Sequence, residues 1–276
     1  MERKLLIERS APGKQSVVLP RCDVPEIRLE QLIPSSCLRA APGGLPEVSE
    51  PEVVRHYVNL STLNHHVDKD LYPLGSCTMK YNPKINEAIA AHPGISEAHP
   101  LQDETTVQPL LRIYHDVEQY LCAITGMARF TLQPAAGSHG ELCGVMIIRR
   151  YHELKNNHKT TILIPDSAHG TNPASVHLGG YGAVTVASTP EGLVDINDLK
   201  AKLNDEVAGF MLTNPNTLGV FEKNVRQIAE LVHGVDGLMY MDGANMNALL
   251  GIAKTADMHF DITHINLHKT FSTPHG

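Results

Sequence analysis

With 276 residues, 42% hydrophobic and 19% charged, the chain is long and apolar enough for one large α/β domain with a small appendage, and its composition excludes a disordered segment. A formal net charge of −7 provides no basic field for a phosphate backbone, so nucleic acid is not expected as a partner. No run reaches the ~18–20 apolar residues that cross a bilayer, and Met1 to Glu8 mixes Lys, Arg and Glu where a signal peptide carries an apolar block, so no membrane association and a cytoplasmic location are expected.

Residues 1–50 carry Pro12, Pro20, Pro25, Pro34, Pro42 and Pro46 with little periodicity and read as an irregular arm. Ser49 is an N-cap ahead of a proline in the first helical turn, which predicts a helix from Pro51 and opens a helical region over 51–130. From 131 to 276 strand-length apolar runs alternate with amphipathic stretches, the pattern of βαβ units. The expected strands are Thr161 to Pro165, Ala183 to Ala187, Val207 to Thr213, Leu238 to Asp242 and Ile262 to Leu267, each apolar on both faces. Between them helices are expected over Glu141 to Leu154, Ile196 to Leu203 behind an Asp195 cap, and Lys223 to His233. Leu142, Val145, Met146, Ile228, Leu231 and Val232 fall at helical spacing. The fold class is therefore α/β, a mostly parallel sheet with helices on both faces.

Five widely spaced cysteines make neither a disulfide framework nor a CxxC knuckle. Sixteen histidines raise the question of a metal, but His152-Glu153 with His158 gives HE-x4-H, not the HExxH that sets two imidazoles on one helical face, and no metal is expected.

In an open α/β sheet ligands sit beyond the carboxyl ends of the strands, so the residues after each strand are read for chemistry. Lys269 follows the last apolar strand. An amine at the mouth of a buried strand is desolvated and a better nucleophile toward an aldehyde, which suits a Schiff base; a surface lysine is the plainer alternative. Asp242 ends an earlier strand, where a carboxylate can face the ring nitrogen of pyridoxal phosphate and keep it protonated. Gln133 to Gly140 is a small-residue loop ahead of a helix, whose backbone N–H groups suit a phosphate. No GxGxxG or GxxxxGK is present. His169, just past the first strand, is placed to stack on the ring. Together these residues point to a pyridoxal-phosphate enzyme of the aspartate-aminotransferase fold type.

The runs from Tyr72 to Lys84 (YPLGSCTMKYNPK), Leu132 to Glu141 (LQPAAGSHGE), Pro165 to Ser175 (PDSAHGTNPAS), Leu212 to Phe221 (LTNPNTLGVF) and Asn266 to Gly276 (NLHKTFSTPHG) closely resemble the glycine cleavage system P protein. More narrowly, they resemble subunit 2 of its two-chain form, from about Leu5 to the last residue. The resemblance implies the large domain of a fold type I pyridoxal-phosphate transferase. It implies that Lys269 carries the cofactor, that His268 reaches the phosphate or substrate, that Asp242 pairs with the ring nitrogen and that His169 stacks on the ring. It further implies that Ala136, Gly137 and Ser138 offer N–H groups to the phosphate, that Asn214 and Asn245 touch the ring hydroxyl or its neighbours, and that a loop of Ser76, Cys77 and Thr78 folds over the substrate.

Two features depart from the family pattern. Ser138 stands where alanine is expected, a change too small to alter a backbone-donated site. The chain also ends at Gly276, where family members continue into a C-terminal small domain, so a C-terminally truncated protein is expected. The implied reaction is decarboxylation of glycine with transfer of the aminomethyl group to the lipoyl arm of the H protein. The implied assembly is a heterodimer or heterotetramer with subunit 1, the irregular arm wrapping that partner. Another fold type I decarboxylase or desulfurase, or a non-catalytic subunit, are the alternatives.

Overall fold

The computed structural model describes residues 4–41, 43–64, 68–69, 81, 83–271 and 273. The chain divides into two compact units, residues 1–73 and 74–276. In the first, isolated helical turns precede one longer helix, α1 (Glu50–Ser61). Ser49 is its N-cap. The Ser49 N–H and hydroxyl both donate to Glu52 Oε2 at 2.9 Å, the carboxylate half of a capping box. Lys14 donates to the same carboxylate at 2.7 Å, and these bonds, the lysine's first, lower the Glu52 pKa to about 2. Among the described residues of this unit only Val48 is buried, as a proline-rich segment without periodicity leads one to expect.

The second unit opens with α2 (Lys84–Ala90), α3 (Gln108–Thr125) and α4 (Gly137–Leu154). Then follow β1 (Thr161–Pro165), α5 (Thr171–Leu178), β2 (Gly182–Val186), α6 (Ile196–Lys202), β3 (Val207–Leu212), α7 (Val225–His233), β4 (Leu238–Gly243), β5 (Ile262–Ile265) and the single turn α8 (Leu267–Thr270). The five strands form one sheet in the order β2-β1-β3-β4-β5, and every neighbouring pair is parallel. Both faces are covered. Val145, Ile148 and Val176 from α4 and α5 pack on Ile162, Ile164, Met211 and Tyr240, while Leu199, Ile228 and Val232 from α6 and α7 pack on Leu163, Phe210, Met239 and Met241. Asp195 caps α6 by accepting from the N–H groups of Asn197 and Asp198.

Three expectations need correction. The strand over residues 182–186 is not buried on both faces: as the sheet's edge it has a neighbour on one side only, and Gly182, Val184 and Thr185 are exposed. On α4 the buried stripe is Glu141, Gly144, Val145, Ile148 and His152, whereas Met146 faces outward, because a polar pair and a glycine hide the helix's true inner face from an apolar count. The last strand stops at Ile265, and Leu267 already belongs to α8.

His152 explains one of the histidines. Thr161 pairs with Val207 but Ile162 with Gly209, so β3 bulges at Ala208, and the buried His152 Nε2 lies 2.9 Å from the Ala208 carbonyl. Burial, above all, holds this imidazole below its ordinary pKa. Nε2 therefore donates from a neutral ring, and an unfolded chain, titrating near ~6.5, binds more protons than the folded one just below that value. Stability is thus fully present above about pH 6.5 and lost as pH falls through it. Thermal melts at pH 7.5 and 5.5 are expected to show a smaller acid loss for His152→Gln, which keeps a donor without the titrating ring, than for the unaltered chain.

Candidate functional site

The carboxyl ends of β1, β3, β4 and β5 and the start of α4 enclose a cavity of about 920 Å³ at the side of the sheet where the strand order reverses. Its lining includes Ala136, Gly137, Ser138, His169, Asp242, Asn245, His268 and Lys269, so eight of the residues singled out in the sequence meet there.

The loop expected over 133–140 is in part the helix itself: α4 begins at Gly137, with Ala136 as an extended N-cap that makes no side-chain capping bond. Gly137 and Ser138 line the cavity, so the first turn of α4 meets it without a side-chain cap. A Cβ at Gly137 would stand 2.8 Å from the end of the side chain of Asn266, the residue at the N-cap position of α8, so the glycine lets the two approach. This contact sets the helix N-terminus beside the turn that carries Lys269. Lys269 is half-buried and, among the described residues, its ammonium makes no ion pair.

Asp242 is 5% exposed and accepts two hydrogen bonds from neutral donors. Asn172 Nδ2 donates to Oδ2 at 2.9 Å and the Ala244 N–H to Oδ1 at 3.0 Å. His264 Nε2 lies 3.3 Å from Oδ1, in contact but out of line for a hydrogen bond. The register of β4 and β5 sets Asp242 opposite His264, so both side chains stand on one face. His264 Nδ1 in turn meets the Tyr240 hydroxyl at 2.6 Å. Gly144 makes room for that ring: a Cβ there would fall 2.1 Å from Tyr240 Cε2. Glu141, 4% exposed, accepts from Thr171 at 2.7 Å and Ser175 at 2.8 Å. Glu141, Asp242 and His264 bring one donor atom each within 4.8 Å of one another.

His169 is exposed at the cavity wall, its Nδ1 2.7 Å from the Thr171 hydroxyl, which itself donates to Glu141. Asn245 faces the cavity, its Oδ1 accepting from the Asn247 N–H. Asn214 is the exception among the described residues. It is buried, does not line the cavity, and spends its amide on the backbone of Glu222, accepting from the N–H at 2.9 Å and donating to the carbonyl at 3.4 Å. Ser76, Cys77 and Thr78 lie outside the described residues.

Glu141, Tyr240 and His264 were missed in the sequence. No spacing rule joins them, because they come from three elements. The available signal was local: polar side chains at 240, 242 and 264 interrupt otherwise apolar strands, and a buried polar group needs a partner.

The architecture is a parallel α/β sheet covered by helices on both faces. Solved structures share it: the glycine decarboxylase (P-protein) of the glycine cleavage system in inhibitor-bound form, with a TM-score of 0.66 and 21% identity over 90% of this chain and 55% of that one, and a Burkholderia pseudomallei sphingosine-1-phosphate lyase, with 0.64 and 15% over 88% and 61%. An aromatic aminotransferase from Pyrococcus horikoshii aligns with a TM-score of 0.55, at 16% identity over 78% of this chain and 59% of that one. No family model matches the sequence. Among curated proteins the chain is 56% identical over all 276 residues to the probable glycine dehydrogenase (decarboxylating) subunit 2 of Chloroherpeton thalassium, and 57% identical over 273 residues to that of Caldanaerobacter subterraneus. It is thus related along its whole length to glycine dehydrogenase (decarboxylating) subunit 2 sequences, as the motifs implied, and it spans about 56% of the length of these relatives.

Proposed function

We propose that this chain binds pyridoxal phosphate and acts on glycine, releasing its carboxyl group as carbon dioxide and passing the aminomethyl group to the lipoyl arm of an H protein, together with a partner subunit 1. The observation that carries the reading is that Lys269 and Asp242, delivered by separate strands, line one cavity with the uncapped N-terminus of an 18-residue helix. The cavity residues fit this cofactor. The first-turn N–H groups of Gly137 and Ser138 suit its phosphate, the Lys269 amine suits its aldehyde, and the buried Asp242 carboxylate, which accepts from neutral donors, calls for a cationic partner such as a protonated ring nitrogen. When bound, the cofactor supplies an electron sink for the pair left on the substrate carbon as carbon dioxide departs.

The protein's own contribution is positional. Asp242 holds the proton on the ring nitrogen. Lys269 keeps an amine in the cavity, and His169, held through Thr171 and Glu141, lines the same cavity. His268, beside Lys269, lies within reach of the phosphate or the substrate. In the first unit Val17, Val18, Leu19 and Val24 are exposed apolar side chains on a segment with almost no core, which supports an arm that covers subunit 1 in a heterodimer or heterotetramer. Among the described residues no helix is long and apolar enough to cross a membrane.

The test is exchange of labelled bicarbonate into glycine. With subunit 1 and lipoylated H protein present, exchange is expected, and omitting H protein should lower it by about 10²-fold or more, since the acceptor completes the reaction. Exchange that ignores H protein would instead support a simple amino-acid decarboxylase.

A further inference from the structure

We propose that His264, fixed in one tautomer by Tyr240, is a positioning residue that holds the Asp242 carboxylate aimed into the cavity. The inference rests on the reading of Asp242 as the partner of the cofactor's ring nitrogen.

The tautomer follows from geometry. Tyr240 is fully buried, and burial pushes its phenol well above the ordinary range, so it keeps its proton. Among the described residues its hydroxyl has one partner, His264 Nδ1 at 2.6 Å. A phenol that keeps its proton donates it, Nδ1 accepts, and the ring proton is left on Nε2, which faces Asp242 Oδ1 at 3.3 Å. The reverse tautomer would set a lone pair against a carboxylate and strand the tyrosine proton.

The charge follows from burial. The groups that face His264 are Asp242 and Tyr240 from β4, Glu141 from α4 and Lys269 from α8. Burial outweighs the two carboxylates and holds the imidazole below its ordinary pKa, so it is a neutral donor. A neutral donor solvates Asp242 without cancelling its charge, whereas an arginine or lysine in its place would form a closed ion pair. Asn172 and Ala244 donate to Asp242 as neutral groups and His264 Nε2 stands beside it, so the counter-charge is left to the ligand.

The test uses the full chain loaded with pyridoxal phosphate and follows the pH titration of the bound cofactor's visible absorbance. Asp242→Asn sets the scale, a displacement of about one pH unit or more for loss of a charged hydrogen-bond partner. His264→Leu and Tyr240→Phe are expected to move the midpoint in the same direction, His264→Leu by at least half as far. His264→Gln, which retains a donor toward Asp242, is expected to stay near the unaltered chain. A merely structural histidine would lower the melting temperature without moving the midpoint. If His264→Leu fails to fold, Tyr240→Phe, which deletes one hydroxyl, decides. Midpoints for His264→Leu and Tyr240→Phe that match the unaltered chain, beside a displaced Asp242→Asn, would overturn the inference and leave the role of Asp242 standing. An undisplaced Asp242→Asn would overturn both.

Discussion

A Lys269→Ala chain mixed with pyridoxal phosphate is expected to show only free-cofactor absorbance, with no band stabilised by borohydride, and the assembled enzyme carrying it should lose roughly 10³-fold or more in glycine turnover. The size of the effect follows from the position. Lys269 sits on the four-residue turn α8, straight after β5, and Asn266, at the N-cap position of that turn, packs on Gly137 at the helix N-terminus. Removing the amine leaves this scaffold intact, because the side chain makes no ion pair among the described residues. Melting temperature should therefore change little, which separates loss of chemistry from loss of fold. A variant that kept a reducible band would show that another amine holds the cofactor.

Asp242→Asn should behave differently: the cofactor still binds, about tenfold more weakly, while glycine turnover falls about 10²- to 10³-fold because the ring nitrogen is no longer held protonated. The fold tolerates this change for an identifiable reason. Each partner of the carboxylate is a donor, so an amide nitrogen introduced there would face another donor. Asn172, however, has a buried Oδ1 with no partner among the described residues, and turning its amide over offers an acceptor to the new nitrogen. Equilibrium binding of the cofactor, measured beside turnover, checks the split. Equal losses in both would show that Asp242 only anchors the ligand.

Much of this arrangement was legible in the sequence because strand ends are. Four apolar runs of five to seven residues, each followed by polar residues, located β1, β3, β4 and β5 and hence Asp242 and Lys269. The capping chemistry of Ser49 and Asp195 was equally readable, being local. What was hidden depends on tertiary neighbours. Asn214 follows a strand as Asp242 does, yet its amide closes a loop onto Glu222, a partner that no local pattern reveals. Tyr240 and His264 look like ordinary strand residues until the β4 and β5 register sets His264 opposite Asp242. Glu141 looks like an exposed helical acid, but the glycines that let α4 approach the sheet turn it inward. The inner face of α4 was misjudged for the same reason.

The central claim is that one flat ring is bracketed by an amine from the β5 end and an acid from the β4 end. Borohydride reduction of the unaltered chain with pyridoxal phosphate, followed by peptide mapping, tests it most directly. The expected result is a single labelled peptide carrying the phosphopyridoxyl group on Lys269; label on another lysine, or none after saturation with cofactor, would contradict it.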